Sequence, residues 1–288
     1  MGEEYTKSEV LNLARKTHGI GKKTISRLKE QMRTDDYVSE YNPELHLDEN
    51  TINNGDCLEL MNGIEDNSID MILADLPYGT TQCSWDSIID LDKLWQQYER
   101  VIKDDGAIVL TASQPFTTEL INSNKELFKY CWYWDKQIPS GMSYCRYQPM
   151  RQIEEVVVFG KNKTKYNPQM IKRDKSIKQG GNKYSETAPI QARKENKNHK
   201  KTYKYKNPIT LISFQKIRQG SVHPTQKPVE LFEYLIKTYT NEDDVVLDNV
   251  SGSGTTAVAC KNTNRKYICI EQDKEYYQKS LERIKNLN

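Results

Sequence analysis

The sequence predicts an α/β fold built on a doubly wound, mostly parallel sheet. Short apolar runs alternate with stretches of helical periodicity from about residue 50 onward, and one apolar run ends in a glycine-rich turn that opens directly into a helix. Strands that alternate with helices form parallel sheets with helices on both faces. The 288 residues are enough for one such domain and a smaller attached module.

The elements follow from the periodicity of apolar residues, which is two in half-buried strands and near 3.6 in helices. Strands are predicted over residues 69–74, 107–112, 131–134, 155–159, 245–248 and 266–271. Helices are predicted over residues 91–102 and 228–239, after the glycine turn within 251–261, and in a final segment that ends at 284. The predicted organisation is an N-terminal helical segment 1–45, a first half 46–160, an insertion 161–220 and a second half 221–288.

The predicted insertion concentrates positive charge. Residues 161–220 carry 17 lysines and arginines against 3 acidic residues, a net charge of +14, whereas the whole chain has a net charge of +2. The rest of the chain therefore sums to −12. A basic segment on an acidic body is expected of a polyanion-binding insertion, and a solvated disordered segment is the alternative.

Several classes of protein are disfavoured. The six cysteines include no Cys-x-x-Cys pair and the four histidines are scattered, so neither a metal site nor a disulfide framework is predicted. The chain contains no run of about 18 apolar residues, and its N-terminus lacks the apolar stretch of a signal peptide. We therefore expect a cytoplasmic protein without membrane association.

The glycine turn predicts a nucleotide-type cofactor. An apolar strand ends at Asp248, and Gly252 and Gly254 follow just before a helix, where glycine lets a backbone approach a ligand closely. Glu271 lies 19 residues past Gly252 at the end of the next strand, where a carboxylate can accept hydrogen bonds from ribose hydroxyls. The turn lacks the third glycine of a dinucleotide fingerprint and the lysine of a P-loop.

A second signal is the tetrad Asp75-Leu76-Pro77-Tyr78, which follows the strand 69–74. Ligands of open α/β sheets bind at the carboxyl ends of the strands. The Asp75 carboxylate and a nearby backbone carbonyl can accept both N–H bonds of an exocyclic amine, and the Tyr78 ring can stack on a base. A proline-terminated strand with a surface aspartate is the alternative.

These two segments resemble motifs of amino-methyltransferases. The tetrad is similar to their Asp-Pro-Pro-Tyr motif, and Ser251 to Thr256 are similar to their Gly-Ser-Gly-Thr-Thr loop. The tetrad precedes the loop, an order that resembles the circularly permuted β class of DNA adenine-N6 and cytosine-N4 methyltransferases. His223-Pro224-Thr225-Gln226-Lys227-Pro228 and Asn54-Gly55-Asp56-Cys57 match two further motifs of that class. The resemblance covers roughly residues 50 to 288 apart from the basic segment.

The resemblance implies a Rossmann-like fold that binds S-adenosylmethionine and methylates adenine N6 directly after the base is flipped out of the duplex. It gives the catalytic role to Asp75, Pro77 and Tyr78. The residues it implies for cofactor binding are Asp56, Cys57, Asp75, His223, Thr225, Lys227, Asp248, Val250, Ser251, Gly252, Ser253, Gly254, Thr255, Thr256 and Glu271. Leu76 replaces the first proline of the tetrad. Asn249-Val250 replace the usual Pro-Phe, which predicts modest cofactor affinity.

Double-stranded DNA is the expected partner, and residues 161–220 are the candidate target-recognition region. Arginine can bond to guanine edges through two parallel hydrogen bonds, and lysine contacts phosphate. The residues predicted to contact DNA are Lys136, Arg151, Arg173, Arg193 and Arg218. A homodimer and a cognate restriction endonuclease are left open as further partners.

Three alternatives compete with adenine-N6 methylation. The first is methylation of cytosine N4 or of an RNA base, although the resemblance links an aspartate at position 75 to adenine and a serine there to cytosine. The second is an inactive nucleic-acid-binding protein of the same fold, which the presence of Asp75, Tyr78 and Glu271 disfavours. The third is methylation of a protein glutamine side chain, whose related tetrad begins with asparagine.

Overall fold

The computed structural model describes residues 39–78, 89–178, 202–217 and 226–287. The strands are β1 (Thr51–Asn54), β2 (Ile69–Ala74), β3 (Ile102–Ala112), β4 (Phe128–Ser140), β5 (Arg151–Phe159), β6 (Ile171–Lys178), β7 (Thr202–Lys206), β8 (Leu211–Ser213), β9 (Val245–Asp248) and β10 (Lys266–Glu271). The helices are α1 (Cys57–Leu60), α2 (Leu91–Val101), α3 (Phe116–Ser123), α4 (Val229–Tyr239), α5 (Thr255–Asn262) and α6 (Lys274–Lys285). Short 3₁₀ helices cover Pro43–Leu45, Met61–Gly63 and Met142–Tyr144.

Eight strands form one sheet in the order β1-β10-β9-β2-β3-β5-β4-β8. The pairs from β1 across to β3 are all parallel, and β5 is antiparallel to both β3 and β4. The strand β8 then pairs in parallel with β4. The predicted mostly parallel α/β sheet is therefore confirmed, with β5 as the reversed strand.

Helices cover both faces of this sheet. On β2, Ile72 and Ala74 pack in the apolar cluster that contains side chains of α2 and α3, whereas Met71 and Leu73 pack in the cluster that contains side chains of α4 and α5. This alternation is the period of two that a strand imposes, and all six residues of β2 are buried. The sheet is thus doubly wound, as the sequence predicts.

The register brings the two motif-bearing strands side by side. Strands β2 and β9 are direct neighbours, with Met71 opposite Val246 and Ile72 opposite Leu247. Adjacent strands lie about 4.8 Å apart. The tetrad after β2 and the glycine turn after β9 therefore leave the same edge of the sheet next to each other.

The basic segment leaves the sheet after β5 and rejoins it at β8. Its strands β6 and β7 pair antiparallel as a separate two-stranded ribbon. Before the ribbon, the Lys165 ammonium donates to Asp70 Oδ1 at 3.2 Å and to Asp244 Oδ2 at 2.7 Å, which ties this part of the chain to the body. No helix within the described ranges has the length and apolar character that crossing a bilayer requires.

Candidate active site

Asp75 follows β2 directly, at the carboxyl end of the parallel strands. Its Oδ1 atom accepts hydrogen bonds from the Tyr78 hydroxyl at 2.8 Å and from the Thr111 hydroxyl, and its Oδ2 atom accepts one from the Lys227 ammonium at 2.6 Å. Thr111 belongs to the neighbouring strand β3. The carboxylate is therefore held in one orientation by three donors from three different segments of the chain.

The ring of Tyr78 is also fixed. It stacks on Phe116 of α3 with ring centroids 5.3 Å apart and an angle of 25° between the planes. The Lys227 ammonium lies over the same ring, 5.7 Å from its centroid. Burial, with the nearby carboxylates of Asp75 and Glu154, raises the pKa of the Tyr78 hydroxyl well above its ordinary value, so this hydroxyl stays a hydrogen-bond donor.

Lys227 and Glu154 extend the site toward β5 and β4. The Lys227 ammonium lies 3.8 Å from Glu154 Oε2, and the Lys136 ammonium on β4 donates to Glu154 Oε1 at 2.9 Å. Burial alone would lower the pKa of Lys227, but the carboxylates of Asp75 and Glu154 outweigh it and raise the pKa. Two carboxylates and two ammonium groups thus balance their charges in the buried wall of the site.

The turn after β9 is bound to the end of β10. The backbone N–H of Gly252 donates to Glu271 Oε2 at 2.6 Å, and the N–H of Asp273 donates to Oε1 at 2.7 Å. Gly252 and Gly254 have φ values of +50° and +72°, which disfavour residues with a side chain. A Cβ at Gly254 would also lie 3.0 Å from the Cβ of Ser280 on α6, so this glycine serves the packing of the turn on that helix.

Asp248 lies beneath this turn. It is buried, accepts a hydrogen bond from the Thr256 hydroxyl and accepts another from the Val250 N–H at 3.1 Å. Burial raises the pKa of the carboxyl to about 7, and the hydrogen bonds from Thr256 and Val250 oppose that shift. The side chain therefore orders the turn from below.

The residues around the turn fit a nucleotide-type cofactor. The Ser251 hydroxyl is buried and has no hydrogen-bond partner among the described residues, which is unusual for a buried polar group. Each oxygen of Glu271 accepts a hydrogen bond from a backbone N–H, and a carboxylate oxygen can accept more than one such bond. A polar ligand with hydroxyl groups would satisfy both positions.

The other predicted cofactor residues take different places. Asp56 caps α1 by accepting hydrogen bonds from the N–H groups of Leu58 and Glu59, and Cys57 is buried, which raises its thiol pKa to about 11. The Ser253 and Thr255 side chains face Arg283 of α6, at 3.2 Å each. His223 and Thr225 lie outside the described residues.

The departure at Asn249-Val250 has a structural role. Val250 packs at the margin of the apolar cluster under α2, and Asn249 Oδ1 accepts a hydrogen bond from the Tyr98 hydroxyl at 2.6 Å. Both Asn249 and Tyr98 are buried. Asn249, at the position of the proline that the resemblance implies, therefore joins the turn to α2, and Val250 occupies the position of the phenylalanine.

The residues predicted to contact DNA are divided. Arg151 is exposed at the start of β5 and donates to Ser113 Oγ and Gln114 O at 3.3 Å, at the same edge of the sheet as Asp75. Lys136 is instead buried and bonded to Glu154, so a contact with DNA would require that ion pair to open. Arg173 lies on the ribbon, whereas Arg193 and Arg218 lie outside the described residues.

The β6–β7 ribbon presents basic and aromatic side chains to solvent. Tyr203 and Tyr205 are exposed on β7, and all five residues of that strand are exposed. A groove on the ribbon is lined by Lys172, Arg173, Asp174, Lys175 and Lys206. This combination of cations and aromatic rings suits contact with a nucleic acid backbone and its bases.

Three residues that contact the tetrad or its lysine were not predicted from the sequence, namely Thr111, Phe116 and Glu154. Glu154 could have been found from its position at the start of an apolar strand, but only if the strand direction were known. Because β5 is antiparallel to β3, its N-terminal end lies at the same edge of the sheet as Asp75, and periodicity does not reveal that direction.

These features define the class: a Rossmann-like α/β protein in which a carboxylate and a glycine turn follow two neighbouring parallel strands. The family model described as DNA methylase matches residues 69–282. The chain belongs to this DNA methylase family, whose members methylate N6 or N4 amino groups.

Individual relatives and solved structures agree with this family. The type II methyltransferase M2.MboI of Moraxella bovis is 29% identical over 254 residues, covering 80% of this chain and 85% of the relative. The DNA adenine methyltransferase YhdJ of Escherichia coli is 28% identical over 256 residues, covering 81% and 82%. The structure of the M1.HpyAVI–SAM complex is similar with a TM-score of 0.54 and 25% identity, covering 81% of this chain and 98% of that one.

Proposed function

We propose that this chain transfers the methyl group of S-adenosylmethionine to N6 of adenine in double-stranded DNA. The observation that carries the proposal is the Asp75 carboxylate, fixed at the tip of β2 beside the glycine turn that follows β9. A relative that matches 81% of the chain is a DNA adenine methyltransferase. The resemblance also links aspartate at this position to adenine.

S-adenosylmethionine supplies an electrophilic methyl group on a sulfonium centre when it is bound. Glu271 would accept hydrogen bonds from its ribose hydroxyls, and Ser251 and the backbone of Gly252 would line its binding site. The similar M1.HpyAVI structure, a complex with SAM, supports this cofactor. The residues themselves provide no nucleophile, since the attacking atom belongs to the substrate base.

Asp75 acts on the substrate amine. Its carboxylate accepts one N–H of the amino group and the Pro77 carbonyl accepts the other, which directs the nitrogen lone pair at the methyl group. The carboxylate also stabilises the positive charge that the nitrogen gains during displacement, and it can take up the proton that the nitrogen then loses. Tyr78 holds the base by stacking, after the base has left the duplex at a cost of about a few kcal/mol.

The experiment that tests this function identifies the modified base. The purified chain is incubated with S-adenosylmethionine and unmethylated DNA, the DNA is digested to nucleosides, and the products are separated by mass spectrometry. We expect N6-methyldeoxyadenosine. N4-methyldeoxycytidine as the product, or DNA that carries no new methyl group, would contradict the proposal, and long-read sequencing of the same DNA would report the sequence context.

A further inference from the structure

The ammonium of Lys227 lies where the substrate amine has to bind. It is 2.6 Å from Asp75 Oδ2 and lies over the Tyr78 ring, so it contacts both groups that are to hold the base. Nitrogen that attacks a sulfonium methyl gains positive charge, and an ammonium on the same carboxylate opposes that charge. Lys227 must therefore move away from Asp75 for the amine to use the full acceptor strength of the carboxylate.

An acceptor for the displaced ammonium is already in place. Glu154 Oε2 lies 3.8 Å from Lys227 Nζ, is buried and has no hydrogen-bond partner among the described residues. Buried carboxylate oxygens are normally bonded, so an unused acceptor beside an ammonium is informative. A shift of about 1 Å would bring the two atoms to the usual length of a charge-assisted hydrogen bond.

Glu154 itself is held in position by Lys136. That ammonium donates to Glu154 Oε1 at 2.9 Å and to Ser140 Oγ at 3.1 Å, and only 3% of the Lys136 side chain is exposed. The ion pair with Lys136 therefore fixes the Glu154 carboxylate so that its second oxygen, Oε2, faces Lys227. The two carboxylates and two ammonium groups keep their net charge whichever carboxylate Lys227 contacts, so the move brings no uncompensated charge into the buried wall.

We propose that Glu154 is a positioning residue whose Oε2 atom receives the Lys227 ammonium when the substrate amine binds to Asp75. The Lys227 ammonium then pairs with Asp75 in the free enzyme and with Glu154 in the substrate complex. This inference rests on the proposed methylation of an amino group at Asp75. It gives the residues on β4 and β5 a role in freeing the Asp75 carboxylate to bind that amino group.

The test is a double-mutant cycle between Glu154→Gln and Lys227→Gln, measured by single-turnover transfer of labelled methyl groups to DNA. We expect Glu154→Gln alone to slow the chemical step by about 10- to 100-fold, because the amine is then misplaced, with cofactor affinity unchanged. In the Lys227→Gln background, Glu154→Gln should change the rate of the chemical step by less than about twofold, because Glu154 then has no ammonium to receive. Equal losses in both backgrounds, or an unchanged rate in Glu154→Gln, would overturn the inference.

The matched control is Glu155→Gln, the same change at the next residue of β5, where the carboxylate accepts a hydrogen bond from Thr117 at 3.2 Å. It should leave the rate near that of the wild-type chain. Thermal melting of each variant separates loss of fold from loss of positioning. Should Glu154→Gln fail to fold, Glu154→Asp replaces it in the cycle, with a smaller loss that must likewise disappear when Lys227 is changed.

Failure of this inference can be distinguished from failure of the proposed function. The double-mutant cycle measures the total number of methyl groups transferred, whichever base receives them. A wild-type chain that methylates cytosine would therefore overturn the adenine assignment, and the cycle would still test the role of Glu154. A wild-type chain that transfers no methyl group to DNA would overturn both. Additive losses in an active adenine methyltransferase would overturn only the role of Glu154.

Discussion

The backbone N–H of Gly252 donates to the Oε2 atom of Glu271 at 2.6 Å, and this bond joins the turn after β9 to the end of β10. The same carboxylate is expected to accept the ribose hydroxyls of the cofactor. Glu271→Ala should therefore raise the Kd for S-adenosylmethionine by about 10- to 100-fold, or about 1.4 to 2.7 kcal/mol, in isothermal titration calorimetry. Glu275→Ala, an exposed change on α6, is the control. A Kd within about twofold of wild type would contradict the assignment.

Asp75→Ala should abolish methyl transfer while leaving cofactor affinity within about tenfold, a change of less than about 1.4 kcal/mol. In the proposed mechanism the carboxylate orients the substrate amine, whereas the turn after β9 holds most of the cofactor. Methyl incorporation and calorimetry measure the two effects separately. Asp104→Ala, at an exposed carboxylate, is the control. A variant with near-normal turnover would remove Asp75 from the mechanism.

Asp248 should make the stability of the fold depend on pH. Its carboxyl has a pKa of about 7 in the folded chain, raised by burial from an ordinary value of 3.8, so the folded state binds the proton more tightly than the unfolded state. The stabilising contribution is complete below about pH 4 and is lost as pH rises through about 7, with a slope of up to about 1.4 kcal/mol per pH unit. Asp248→Asn should remove this slope in urea unfolding experiments, and Asp243→Asn, at an exposed position, should not.

Tyr98→Phe should destabilise the fold by about 1 to 3 kcal/mol, because it leaves the buried Asn249 oxygen without its donor at 2.6 Å. Urea denaturation measures the change, and Tyr133→Phe at an exposed tyrosine gives the baseline. Since Asn249 begins the turn after β9, cofactor affinity should weaken in the same variant. Unchanged stability would show that the bond between α2 and the turn contributes nothing.

The β6–β7 ribbon should contribute electrostatically to DNA binding. Lys204→Ala and Lys206→Ala remove exposed cations from β7. Each should weaken binding to all duplexes alike and reduce the slope of log Kd against log salt by about one. Fluorescence anisotropy across a salt series measures both quantities, with Lys237→Ala on α4 as the control. An unchanged slope in both ribbon variants would exclude phosphate contacts by these lysines.

Apolar runs predicted the sheet where nothing polar interrupts them. The bounds of β2, β9 and β10 agree with the predicted ones. Strand β3 begins at Ile102, five residues before the predicted start. Its first part was not predicted because the charged residues Lys103, Asp104 and Asp105 interrupt the apolar pattern. Strand β8 was missed because its three residues lie in a basic segment and gain their stability from pairing with β4.

The site was predictable only where it lies in a motif. The sequence places Asp75 at a strand end, and the structure confirms that position. It does not reveal that Lys227, expected near the cofactor, bonds to Asp75 from 152 residues further along the chain. Such a contact depends on the path of the chain between β5 and α4, which local periodicity does not contain.

The β6–β7 ribbon is separate from the hydrogen-bonded ladder of the main sheet. The chain leaves the main sheet at β5 and returns at β8, and neither of these strands pairs with β9 or β10, although Lys165 in between bonds to Asp244 just before β9. We therefore expect that a ribbon of another length would leave the pairing of β2 with β9 unchanged. In evolution, such a modular arrangement would let the ribbon diverge without rebuilding the strands that bear the two motifs.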